Sequence, residues 1–372
     1  MARPPAPLWL AKPSRFAGFS RHRAQIVLAL LAALLGLCLT ALIAAGPAPI
    51  SKDPANRAED QADVVLYDTI VSGVRNGGDY YEVAANAQRR GNYPLRPFVT
   101  FRLPTLALLQ AAVPRSVTIV LLFTLAALVG GVWWLRLVPA FKRPPPVAVA
   151  LILLFGGMAA FVQPSLAPFH EVWAGLLIAL ALGVRSPNHW VEAAAIGMIA
   201  MLIRETAALF VIVMAAMALL EGRWRETVGW GATLIVFALV VAAHAYAVSQ
   251  VVTPTDPASP GWVGMLGFGF FVKTMSISTA LSLAPAWLAA LLVGISLFGW
   301  AAWNQPIALR ALAMFAAYAL LLSLFGRPDT FYWGLLIAPT ILVGLAFVPD
   351  ALRDLMAAAL DTRRITVTRR VQ

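Results

Sequence analysis

Residues 191–220 read VEAAAIGMIAMLIRETAALFVIVMAAMALL, an apolar run interrupted by RET at 204–206. Whether this run is one helix or two decides the topology of everything after it. A single helix of that length would be about 45 Å long, against a hydrocarbon core of about 30 Å. Breaking it at Arg204-Glu205 gives two short helices with a charged pair at an interface. One tilted span would instead invert every later segment.

Charge favours the break. The apolar stretches predict ten helices, at 26–45, 116–136, 147–163, 170–183, 189–203, 206–220, 228–250, 284–303, 307–325 and 331–348. With the N-terminus cytoplasmic, the inner segments hold 17 Lys and Arg and 6 acidic residues, and the outer segments hold 11 of each. The whole net charge of +11 then lies on one face, as the positive-inside rule expects. Both termini are therefore expected in the cytoplasm, and in a bacterium the opposite side is the periplasm.

Composition agrees with this class. The chain has 372 residues, is 60% hydrophobic and only 12% charged, and has a mean hydropathy of +0.79. A soluble domain is nearer one quarter charged. The apolar runs are continuous rather than alternating, which argues against a β-barrel. The run at 26–45 is too long for the core of a cleaved signal peptide. Cys38 is the single cysteine, so no internal disulfide and no cysteine metal site can form. The positive charge is explained by the membrane bias, and no nucleic-acid partner is expected. The expected fold is thus an all-α integral membrane protein. Its domain, 26–348, is flanked by basic cytoplasmic tails at 1–25 and 349–372, of which 1–22 and 361–372 are expected to be loose.

The largest extramembrane segment is 46–115, with 8 basic and 7 acidic residues. It is expected on the periplasmic side. ADVVLYDTIVSGV (62–74) and DYYEVAANAQRR (79–90) carry apolar residues at helical spacing, as in amphipathic interfacial helices. LPTLALLQAAVP (103–114) is too short to span and is expected to lie along the interface.

The candidate functional residues gather on that side. Asp79 and Glu82 share one helix face, where a carboxylate can serve as general base or bind a divalent metal. GGDYYE also reads as a capping box, with Asp79 the cap and Glu82 its partner, and the two readings are compatible. His170-Glu171 opens the fourth span. Arg204-Glu205 is an ion pair within apolar sequence, a functional hypothesis by default. FGRPDTFYWG (325–334) places Arg327 and Asp329 among aromatic residues. A guanidinium there can grip a phosphate, and Lys273 in the 251–282 loop has the same option. Tyr80, between the two acids, and Arg96, in the stretch that follows, are further candidates for contacting a substrate. There is no Walker motif, HExxH or nucleophile elbow. Polar residues collect at one face rather than at the midplane, which favours interfacial chemistry over transport.

The layout of a first span, a large periplasmic loop with an Asp followed by tyrosines, short helices and a late periplasmic turn resembles the GT-C superfamily of integral membrane glycosyltransferases. GDYYEVAANAQRRGNYPLRP, RETA and GRPDTFYWGLLIAP carry the likeness. It is closest to the bacterial families related to protein O-mannosyltransferases and aminoarabinose transferases. The resemblance implies transfer of a sugar from a polyprenyl-phosphate donor to a glycan, lipid or protein acceptor at the periplasmic face. It implies Asp79 as the essential acid, Glu171 as a second acid, and Arg204, Lys273 and Arg327 as holders of the phosphate. A divalent metal ion is a further possibility in the family, although this chain has Asp-Tyr where a paired Asp-Glu or Asp-Asp is commoner. The alternatives are a transporter or flippase of a lipid-linked saccharide, and a non-catalytic scaffold of envelope assembly.

Overall fold

The computed structural model describes residues 7–46 and 62–361. Among them the chain is all-helical. In order, the α-helices are α1 (Arg21–Cys38), α2 (Ala62–Arg75), α3 (Tyr80–Arg90), α4 (Thr105–Ala112), α5 (Arg115–Leu137), α6 (Pro144–Gly157), α7 (His170–Val184) and α8 (Trp190–Ile203). Then come α9 (Ala208–Leu220), α10 (Trp224–Val251), α11 (Gly267–Ile277), α12 (Ala286–Ala302), α13 (Pro306–Phe325), α14 (Ala338–Ile341) and α15 (Val348–Ala359).

The run that opened the sequence analysis is two helices. Arg204 has an extended backbone, φ −142° and ψ 115°, and a short 3-10 turn, Glu205–Ala207, leads into α9. The expected helices recur with shifted ends, but fewer than ten are long enough to span. Among the described residues four helices qualify by length and composition, at Arg21–Leu42, Arg115–Ala140, Trp224–Val251 and Pro306–Phe325, or five with one bent pair. The others run from 13 to 17 residues in α6, α7, α8, α9 and α12. At 1.5 Å per residue that is roughly 20–26 Å, short of the hydrocarbon thickness.

The last expected span, 331–348, is not one helix. A 3-10 segment, Pro328–Leu336, meets the helical course that begins at Ala338 at a bend of 61°, and that course continues to Ala359. The bend frees carbonyl groups that lipid cannot satisfy. A further carbonyl is met where α14 passes into the 3-10 run Leu342–Phe347: the Ser296 hydroxyl and, at 3.1 Å, Trp300 Nε1, both from α12, donate to the Ile341 carbonyl.

α7 is the central helix. Nearly all of its residues are buried, as expected of a helix that is apolar all round. Gly175 lets the Leu335 carbonyl approach where any Cβ would clash, so the 3-10 segment lies directly against α7. Close packing of this kind, rather than water exclusion, holds helices together in lipid. α2, α3 and α4 form a separate layer with its own apolar cluster, including Leu66, Ile70, Tyr80, Ala84, Leu95 and Phe101.

The N-terminal tail is not loose where it is described. The backbone N–H groups of Leu8, Trp9 and Leu10 donate to Asp350, and that of Ser14 to Asp354. α15 in turn packs on α1. Two acids with no apparent role in the sequence thus fasten the N-terminal segment to the bundle.

Candidate functional site

α2 begins the site. Its buried stripe comprises Leu66, Tyr67, Ile70 and Val71, and Asp63 falls on the same face one turn earlier. Asp63 and Tyr67 line a cavity of about 200 Å³ whose other walls include Tyr93, Arg102, Trp262, Arg327, Asp329 and Tyr332. The 3-10 segment after α13 delivers the last three, and the 251–266 stretch delivers Trp262. That stretch is held by Arg89, which pairs with Asp256 at 2.7 Å, and by Arg96, whose Nε donates to the Asp256 carbonyl at 2.8 Å.

Arg102 and Tyr67 sit between this cavity and the end of α7. Arg102 Nε donates to the Tyr67 hydroxyl at 3.2 Å, and the Tyr80 hydroxyl donates to the Arg102 carbonyl at 2.6 Å. The Tyr67 ring meets His170 edge-on, with centroids 4.7 Å apart, and Phe169 meets Tyr332 in the same way at 5.2 Å. Behind them Arg204 Nε lies 2.5 Å from Glu171 Oε1, and its Nη1 donates to Glu205 at 2.9 Å. Glu205 also accepts from the Leu103 backbone N–H at 3.1 Å. One carboxylate therefore ties the break between α8 and α9 to the loop carrying Arg102.

Burial pushes the Asp63 carboxyl above the usual range. The Tyr93 hydroxyl and Arg102 work against that rise, while Glu171 and Asp329 add to it. Burial opposes the charge of Arg102, yet Tyr67, Glu171, Tyr332 and Glu205 hold it well above its ordinary value. Arg327 is also raised, first by its hydrogen bond to Asp329, and its guanidinium lies 5.5 Å from the Trp262 ring centroid. A carboxyl with raised pKa beside fixed cations in a cleft is the pattern of functional sites.

The hydrogen bonding here is incomplete. Gln88 Oε1, Thr100 Oγ1, both ring nitrogens of His170, both oxygens of Glu171 and Arg204 Nε are buried without a well-directed hydrogen bond. Buried polar groups in native proteins are nearly always hydrogen-bonded, so their concentration beside one cavity sets this region apart.

The expected residues divide. Glu171, His170, Arg204, Glu205, Arg327 and Asp329 come together around the loop layer, and Tyr80 reaches them through Arg102. Asp79 and Glu82 do not line the cavity. Asp79 is exposed and caps α3, accepting from the N–H groups of Tyr81 and Glu82 at 2.9 and 3.2 Å, so the capping role is the one the geometry displays. Arg96 is exposed and braces the 251–266 stretch. Lys273 on α11 donates to the Ala44 carbonyl at 2.6 Å and fastens the end of the first span. Asp63, Tyr67, Tyr93, Arg102 and Trp262 were not singled out from the sequence. Only Asp63 left a signal there, an acid on the apolar stripe of an amphipathic helix.

Among the described residues no group of three or more His, Cys, Asp or Glu side chains converges to hold a metal ion. The cavity's acids stand beside arginines, an arrangement that does not fit a resident cation. Comparison with protein-family models, with curated proteins and with solved structures yields no match.

Proposed function

We propose that this membrane protein is a glycosyltransferase of GT-C type that moves a sugar from a polyprenyl-phosphate donor at the periplasmic face of a bacterial inner membrane. The observation that carries the reading is the cavity in which Asp63 shares walls with Arg102, Arg327 and the rings of Tyr67, Tyr93, Trp262 and Tyr332. Rings suit the flat faces of a sugar, and guanidinium groups suit a phosphate. The short helices complete a ten-helix bundle around this site, with both termini cytoplasmic.

Asp63, rather than Asp79, is the acid of the first loop that acts. Its carboxylate takes the proton of an acceptor hydroxyl. The acceptor oxygen forms the new bond to the anomeric carbon as the bond from that carbon to the donor phosphate oxygen breaks. The electron pair of the broken bond remains on the phosphate, where Arg102 and Arg327 stabilise it, and polyprenyl phosphate leaves. Fixed cations in a partly dry site are the strongest form of such stabilisation. Glu171 and Glu205 hold Arg204, and through Leu103 the Arg102 loop, so they are positioning residues.

The test is a comparison of cells with and without the gene. Loss of one glycan residue from the envelope together with accumulation of its lipid-linked donor supports the proposal. Unchanged envelope glycans and donor lipids would refute it. Accumulation of the donor on the cytoplasmic leaflet alone would point to a flippase.

A further inference from the structure

The far end of α7 carries a second concave site. The Gly183 carbonyl, about 18 Å along the helix from Glu171 at 1.5 Å per residue, accepts from Arg136 Nε at 2.6 Å, and Arg136 Nη2 donates to the carbonyls of Val184 and Arg185. Next to Arg136 lies a groove of about 420 Å³, walled by Lys12, Trp303, Asn304, Gln305 and apolar side chains, with no carboxylate in its lining.

The groove is built rather than incidental. Lys12 rides on a segment fixed on both sides, by Asp350 through Leu8 to Leu10 and by Asp354 through Ser14. The Ala11 N–H also donates to the Ala140 carbonyl at 2.8 Å. Asp350 and Asp354 are occupied by these N–H groups and by Arg353. Leu135, which is 72% exposed, forms an apolar lip beside the two cations.

We propose that this groove binds an anionic glycerophospholipid of the adjoining leaflet. Its phosphate lies between Lys12 and Arg136, and an acyl chain runs along Leu135. Basic pockets between membrane helices select acidic headgroups in this way. The proposal is independent of the glycosyltransferase reading.

Native mass spectrometry of the full chain, purified in detergent and mixed with phosphatidylglycerol or phosphatidylcholine, tests it. Phosphatidylglycerol is expected to be retained in preference to phosphatidylcholine. Lys12→Gln is expected to lower its occupancy about fivefold, the value of one cation near an anionic headgroup. Arg143→Gln removes an equal charge from an exposed position outside the groove and is expected to change nothing. Equal retention of the two lipids would overturn the proposal. So would an equal loss in both variants, or Lys12→Gln binding as wild type does.

Discussion

Two clusters of buried charge lie at opposite ends of the bundle, and they are finished differently. At the far end, Arg310 pairs with Glu221 at 2.8 Å and Glu226 at 3.0 Å, and Arg185 pairs with Glu226 at 2.6 Å. Trp230 Nε1 adds a further bond to Glu226 at 3.3 Å. No buried polar atom of Arg185, Glu226 or Arg310 lacks a partner. At the near end, Glu171 and Arg204 are as deeply buried, yet their facing atoms are poorly directed, and neither ring nitrogen of His170 beside them makes a hydrogen bond. A cavity opens next to the second cluster. The first cluster has the character of a structural lock, whereas the second leaves buried polar atoms without well-directed hydrogen bonds beside a cavity.

That contrast can be broken by mutation. The largest expected effect is at the lock. Arg310→Met leaves Glu221 and Glu226 short of a cation and is expected to cost about 3–5 kcal/mol, the range for breaking a buried ion pair. Thermal unfolding in detergent would show it. If Arg310→Met melts with wild type, the far cluster is not a lock.

Glu171→Gln should cost less, about 1–3 kcal/mol, because Arg204 keeps Glu205 at 2.9 Å. Its transfer rate should nevertheless fall more than that of any far-end variant which still folds. A rate loss no larger than theirs would erase the distinction between the clusters.

Asp79→Ala removes a helix cap and should cost about 1 kcal/mol, whereas Asp79→Asn should be silent. Both should keep transfer. Abolished transfer in a folded Asp79→Asn protein would return the acid's role to Asp79.

The smallest effect, and the most diagnostic sign, belongs to Asp63. Burial raises its pKa in the folded protein, so the folded state holds that proton more tightly than the unfolded chain does. Below the unfolded value, about 3.9, the carboxyl is neutral in both states and its contribution is fully present. That contribution is lost as pH rises through the folded value. Asp63→Asn removes the cost of the buried charge, so at neutral pH it should melt at or slightly above wild type, with the gap closing in acid. Melting well below wild type at neutral pH would make Asp63 a structural residue.

Much of this was legible in the sequence, because length and polarity are strong constraints in a membrane. The break at Arg204, the amphipathic helices of the first loop and the gathering of Glu171, Arg204 and Arg327 all follow from where charge can be tolerated. What escaped depends on tertiary approach. The Ile341 carbonyl meets Ser296 and Trp300 only because another helix packs against it, and Asp350 becomes an anchor only when residue 8 arrives beside it. Asp79 drew attention through a motif of which the structure displays the cap at Asp79 itself. Arg102 sits alone in an irregular stretch, and only the fold of the loop brings it to Asp63.

The most direct measurement is the release of polyprenyl phosphate by purified protein from donor lipid extracted from cells lacking the gene. Wild type is expected to release it in the presence of acceptor, and a folded Asp63→Asn protein at least about 100-fold more slowly, as loss of a general base requires. No release by wild type, or release by Asp63→Asn at the wild-type rate, would contradict the assignment of this cavity as a glycosyl-transfer site.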